Sequence, residues 1–153
     1  MKKIGNPFIV GIEKFKPYYE RQKKLNIYDE VYCTDIMDFI LNEKYDLIIC
    51  SELIEHLEKA ESIKLIERLE NYFNKLLIIT TPLGFMKTKG YDKNKYQIHK
   101  SGYKINDFRK RGFKTRIVQM QQLPRSIKLI HWIYKRALRR FPQEVIVAYK
   151  WNE

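Results

Sequence analysis

Short apolar runs alternate along this chain with longer stretches whose apolar residues recur at helical spacing. Phe8-Ile9-Val10-Gly11-Ile12 reads as a buried strand ending at Glu13. Pro17 suits the first turn of a helix carrying Tyr18 to Leu25. Val31-Tyr32-Cys33 is a shorter strand. Asp46-Leu47-Ile48-Ile49-Cys50 is a stronger one, apolar without alternation, as strands covered on both faces are. From Ser51 to Phe73, residues Leu53, Ile54, Leu57, Ile63, Ile66, Leu69 and Phe73 keep close to a helical period. Ser62 marks a restart of that helix after a break near Ala60.

Leu76-Leu77-Ile78-Ile79-Thr80 is the next strand, stopped by Pro82 and Gly84. The polar stretch from Gly84 to Lys104 is longer than a routine connection, and loops of that kind often carry function. Asn106 to Arg111 is a short helix closed by Gly112. Lys114 to Met120 and Glu144 to Tyr149 are the last strands. Between them, Pro124 to Phe141 predicts a helix with Ile127, Ile130, Tyr134, Ala137, Leu138 and Phe141 on one face. The order β-α-β-β-α-β-loop-α-β-α-β predicts an α/β sandwich with a mainly parallel sheet, residues 1–153 forming one domain. Phe8–Ile12, Leu47–Cys50 and Leu76–Thr80 are expected as parallel neighbours, with Ile117 and Val147 on antiparallel partners at one edge.

Composition narrows the class. Hydrophobic residues make up 44% of the 153, which excludes wholesale disorder. No apolar run approaches the roughly 18–20 residues of a membrane span, and the basic N-terminus lacks the apolar stretch of a signal peptide. Cys33 and Cys50 sit in strand-like runs without metal-type spacing, which predicts buried thiols in a reducing, cytoplasmic setting. The net charge of +12 is segregated. Phe108 to Gln143 contains eleven Lys and Arg and no acid. Such a basic third predicts attraction to polyanions or acidic surfaces.

Ligands of open α/β sheets bind at the carboxyl ends of the strands. Polar groups stand at such ends here: Glu13, Asp35, Ser51-Glu52 and Thr80-Thr81. A strand-end carboxylate can accept both hydroxyls of a ribose, or can simply be a loop residue. Taken with their neighbours, these runs resemble class I S-adenosylmethionine-dependent methyltransferases. Val10-Gly11-Ile12-Glu13-Lys14-Phe15-Lys16-Pro17-Tyr18 is similar to their second-strand region. Asp46 to Cys50 followed by Ser51-Glu52-Leu53-Ile54-Glu55-His56-Leu57 is similar to their fourth strand and the E-x-I-E-H-L stretch after it. Leu77-Ile78-Ile79-Thr80-Thr81-Pro82-Leu83-Gly84 resembles the fifth strand and its exit. Asp107-Phe108-Arg109-Lys110-Arg111-Gly112-Phe113 resembles the turn before the sixth.

The resemblance implies a Rossmann-like fold, S-adenosylmethionine as cofactor and methyl transfer as activity. It implies that Glu13 holds the ribose, Phe15 packs near the adenine, and Asp35 with Ile36 meets the adenine edge. Cys50, Ser51 and Glu52 would line the methionine half. His56 belongs to the motif and is weighted toward structure. In the polar loop, Tyr96, Gln97 and His99 could orient an acceptor or act as general base; a solvated loop is the other reading. His56, His99 and His131 are scattered, so no metal site is expected.

One departure stands out. The family's first strand ends in a glycine-rich loop, but the glycines at 5, 11, 84, 90, 102 and 112 form no G-x-G. The family order 3-2-1-4-5-7-6 puts that first strand at the centre. Three outcomes are expected: closure of strand 2 on strand 4, a homo-oligomer or partner chain filling the gap, or a shortened chain. Losing one or two charged hydrogen bonds, at about 1.5–3 kcal/mol each, would weaken cofactor binding roughly 10- to 10⁴-fold. The alternative function is therefore a methyltransferase-fold protein without catalysis, acting as a binding subunit. Its partner would be nucleic acid, met by Lys128, Trp132, Lys135 and Arg139 on the helical insertion near 124–141. The same face is also compatible with ordinary solvation.

Overall fold

Each of the six strand-like runs becomes a strand in the computed structural model, which describes residues 7–90, 92–119 and 144–152. The chain divides into two compact units, Met1–Asn42 and Glu43–Glu153. The expected helix from Pro124 to Phe141 lies outside the described residues.

The first unit is a β-α-β crossover. Strand β1 (Val10–Ile12) pairs in parallel with β2 (Glu30–Tyr32), and helix α1 (Lys16–Lys24) connects them. Pro17 sits in the first turn of α1, where its missing N–H costs no helical hydrogen bond. Asp29 anchors the entry to β2: its Oδ2 accepts from Ile9 N–H at 2.7 Å, and its own N–H donates to Ile9 O at 2.9 Å.

The second unit is a four-stranded sheet of order β3-β4-β6-β5. Strands β3 (Tyr45–Ser51) and β4 (Phe73–Pro82) are parallel. β6 (Glu144–Trp151) runs antiparallel to both β4 and the edge strand β5 (Lys114–Gln119). Ile117 and Val147 thus lie on antiparallel partners, as their positions predict. The expected ladder from Phe8–Ile12 to Leu47–Cys50 does not form. Among the described residues β1 pairs with β2 and β3 with β4, giving two sheets. Taken separately, their orders correspond to the 3-2 and 4-5-7-6 parts of the order that the resemblance implies. A second correction follows for β3. It was expected to be covered on both faces, but the face carrying Leu47 and Ile49 is left 49% and 60% exposed at those residues, while Cys50 on the opposite face is buried.

The long helix expected from Ser51 to Phe73 is two pieces. A 3₁₀ turn (Ile54–His56) comes first, and α2 (Lys59–Tyr72) follows. The restart lies at Glu58 rather than Ser62, because Glu61 Oε2 accepts the Glu58 N–H at 3.1 Å and caps the new helix. Ser62 is instead fully buried one turn in, with its Oγ donating to Lys59 O at 2.8 Å. Helix α2 buries Leu65, Ile66 and Leu69 and packs on β4, which buries Leu77 and Ile79. The short helix α3 (Ile105–Arg109) ends as expected at Gly112, whose φ of +82° is a left-handed value that side chains resist. Phe108 and Phe113 on either side of that turn stack edge to face at 6.1 Å in the core.

This packing has a testable consequence. Leu77 is completely buried at the middle of β4, so Leu77→Ala should lower unfolding free energy by roughly 2–5 kcal/mol. Lys75, two residues away, pairs with Asp46 in solvent, so Lys75→Ala should leave the urea midpoint unchanged. Equal midpoints for the two variants would place the core elsewhere.

Candidate functional site

The carboxyl ends of the parallel strands carry the polar residues that the sequence pointed to, in each unit separately. In the first unit Glu13 follows β1 directly, and its N–H donates to Tyr32 O at 3.0 Å, holding it level with the end of β2. Its Oε1 accepts the Phe15 N–H at 2.7 Å, which fixes the carboxylate and leaves Oε2 available to a diol. Phe15 stacks edge to face on Tyr18 at 5.0 Å. Asp35, past β2, accepts from Met37 N–H at 2.9 Å and forms an ion pair with Lys14. Ile36 beside it is half-buried. Glu13 and Asp35 therefore leave adjacent strand ends, as expected.

In the second unit Ser51 ends β3 opposite Thr80 of β4, and their hydroxyls are 2.9 Å apart. Glu52 follows with a φ of +47°, a strained left-handed value for a residue with a side chain. Its N–H donates to Thr80 O at 3.0 Å, which holds the strained turn in place. Burial raises the Glu52 carboxyl above the usual range, partly offset by the Thr80 hydroxyl, and one buried oxygen, Oε1, has no hydrogen-bond partner. Cys50 is buried on β3, its thiol pushed up to about 12 by burial first and by the charge of Glu55 second.

The polar loop returns to this end of the sheet. Lys100 and Ser101 N–H groups donate to Glu55 O at 2.8 and 3.1 Å, and Ser101 Oγ and Tyr103 Oη donate to Ile54 O, each at 3.2 Å. Gly102 is required there, since a Cβ would stand 2.7 Å from the Phe85 backbone. These bonds bring His99 against His56, with ring centroids 4.9 Å apart, although nothing in their spacing joined them. Burial and the neighbouring His99 lower the pKa of His56, and burial lowers that of His99. Tyr96, the other candidate from this loop, lies in a separate 3₁₀ turn (Lys95–Gln97) and is 40% exposed.

Glu55, the second acid of the E-x-I-E-H-L stretch, is the centre of this region. It is 1% exposed, and its Oε2 accepts from the buried Thr81 hydroxyl at 3.1 Å. Burial, then the charge of Glu52, pushes its carboxyl up to about 8. The signal that could have found it is the second acid of Glu52-Leu53-Ile54-Glu55 inside an otherwise apolar period.

Lys128, Trp132, Lys135 and Arg139 lie outside the described residues. Of the basic residues within them, Arg111 is neutralised internally. It forks onto Glu70 at 3.1 and 2.6 Å and reaches Glu67, while Lys150 also pairs with Glu70. No described helix is long and apolar enough to cross a membrane.

The strand order decides the comparison with known proteins. No family model and no curated protein matches the chain. Solved structures do. The plantazolicin methyltransferase BpumL, with S-adenosylhomocysteine bound, aligns at TM-score 0.60 and 17% identity, over 99% of this chain and 69% of its own. The N-methyltransferase NodS from Bradyrhizobium japonicum WM9 aligns at 0.59 and 14%, over 95% and 73%. Magnesium protoporphyrin IX methyltransferase from Synechocystis PCC 6803 aligns at 0.59 and 16%, over 97% and 65%. This chain has the class I methyltransferase fold. It spans about two thirds of the length of these methyltransferases.

S-adenosylmethionine fits the residues of this fold in part. Glu13 presents a carboxylate whose Oε1 accepts from Phe15 N–H, so a ribose would find Oε2 and the remaining lone pair of Oε1. Asp35 has both oxygens engaged, and no G-x-G turn is present in the sequence.

The two thiols offer a direct check on this geometry. Cys33 is exposed, whereas Cys50 is buried and holds its proton. An aromatic disulfide reagent should titrate one thiol rapidly in the native chain and two in denaturant. Cys33→Ser should abolish the rapid phase. A rapid phase surviving that change would place Cys50 at the surface.

Proposed function

We propose that this chain is an S-adenosylmethionine-dependent methyltransferase. The observation that carries the reading is Glu13. It stands directly after the strand corresponding to the family's second, with Oε1 held by Phe15 N–H and Oε2 left to accept from a ribose. When bound, the cofactor supplies a methyl group already activated on a sulfonium. The protein's task is then alignment rather than strong acid-base chemistry.

Within this reading Glu13 binds the ribose and Asp35, balanced by Lys14, borders the adenine. His99 and Tyr96 belong to the acceptor side. The fold leaves the acceptor open, since similar structures are named for plantazolicin and for magnesium protoporphyrin IX. Function without catalysis, through nucleic acid on the basic third, is the competing reading and rests on charge alone.

Calorimetric titration of the full chain with S-adenosylhomocysteine tests the proposal. Binding is expected, and Glu13→Ala should weaken it about 10-fold or more, the cost of a charged hydrogen-bonding partner. Equal affinity in the variant, or no heat at about millimolar ligand, would overturn it and favour the binding-subunit reading.

A further inference from the structure

The turn after β3 and the end of the polar loop bring three metal-ligating side chains together. Glu55, His56 and His99 each offer one ligand atom, and these atoms all lie within 4.8 Å of one another. The backbone preorganises them. Glu55 O is held by two N–H groups of the loop, and His99 N–H donates to Thr88 Oγ1 at 2.9 Å. Neither end of the cluster depends on a long, freely rotating side chain for its position.

The rings are oriented as well. A neutral imidazole donates through one nitrogen and offers a lone pair at the other. His56 Nδ1 lies 3.4 Å from Ile98 O, and His56 also faces the Glu52 backbone, while His99 faces the backbone of Met86. Metal-ligating histidines are held in this way, with the second ring N–H on a carbonyl. The surroundings hold a surplus of acceptors. Neither Glu52 nor Glu55 has an ion-pair partner among the described residues. Glu52 also keeps a buried oxygen without any hydrogen bond. Two imidazole lone pairs and the Glu55 carboxylate, with the Glu52 charge near Glu55, are satisfied together by a cation.

We infer that Glu55, His56 and His99 form a binding site for a divalent first-row transition-metal ion of the zinc or manganese type, with Glu52 adding negative charge beside it. Two imidazoles with a carboxylate suit these ions better than calcium or magnesium, which prefer all-oxygen shells. Donors around an ion with bonds of about 2.1 Å stand roughly 3.0–3.4 Å apart. Closing from 4.8 Å therefore asks for a shift of about 1.5 Å, small against the reach of a histidine side chain. Three protein ligands leave a coordination position open, the pattern of ions that hold a water or a substrate oxygen. The site requires no methyl transfer, so it stands or falls apart from the function proposed above.

The test uses the full chain without a histidine tag, stripped with chelator and titrated with zinc chloride and manganese chloride by calorimetry. One equivalent of zinc or manganese should bind, and His56→Ala and His99→Ala should each weaken it by about 100-fold. His131→Ala should leave it unchanged. Far-ultraviolet circular dichroism checks that each variant is folded. In the wild type, imidazole resonances in NMR spectra should shift for two of the three histidines on adding zinc. No uptake at about 1 mM metal, equal uptake by His99→Ala, or loss with His131→Ala would overturn the assignment.

Discussion

Two buried carbonyl groups, those of Ile54 and Glu55, set the terms for the larger unit. A 3₁₀ turn of three residues satisfies few of its own backbone acceptors, and leaving them unpaired away from water is costly. The chain brings further donors from far along the sequence: Lys100 and Ser101 N–H groups for Glu55, and the Ser101 and Tyr103 hydroxyls for Ile54, whose carbonyl also accepts from the local Leu57 N–H. Tyr103 Oη also meets Ser62 on α2, so helix, turn and loop converge on one polar knot within an apolar core. Once that knot forms, the ends of β3 and β4, the buried Glu55 and the paired histidines have their positions.

Much of the fold is legible in the residues because the apolar runs are short, unbroken and bounded by Pro and Gly. The six strands, Gly112 as a helix stop and the antiparallel edge all follow from local pattern. What local pattern does not show is neighbourhood. Leu47 and Ile49 look like residues of a strand covered on both faces, yet their face is exposed, since coverage depends on what packs against a face and not on composition. The helix restart was misplaced for a related reason. Ser62 has the chemistry of a cap, but Glu58 and Glu61 form a better one, and Ser62 serves the buried knot instead.

The candidate site divides in the same way. Glu13, Asp35, Ser51 and Glu52 were readable because a strand end is itself a position in sequence. His99 and Glu55 were not, because their encounter rests on hydrogen bonds between backbone groups of distant segments, which leave no signature in side-chain identity. Glu52 marks the boundary between the two classes. Its place at the strand end was foreseeable, but its left-handed backbone and orphaned oxygen appear only in three dimensions.

The tether between Glu55 and the loop is made of main-chain atoms at both ends. Most substitutions at Lys100, Ser101 or Glu55 leave that pair of bonds intact, proline in the loop being the obvious exception. Loop side chains other than Thr88 and Gly90 can therefore change in size and charge while the loop still returns to the same anchorage. The surface of such a loop can change its chemistry without the fold having to be solved again.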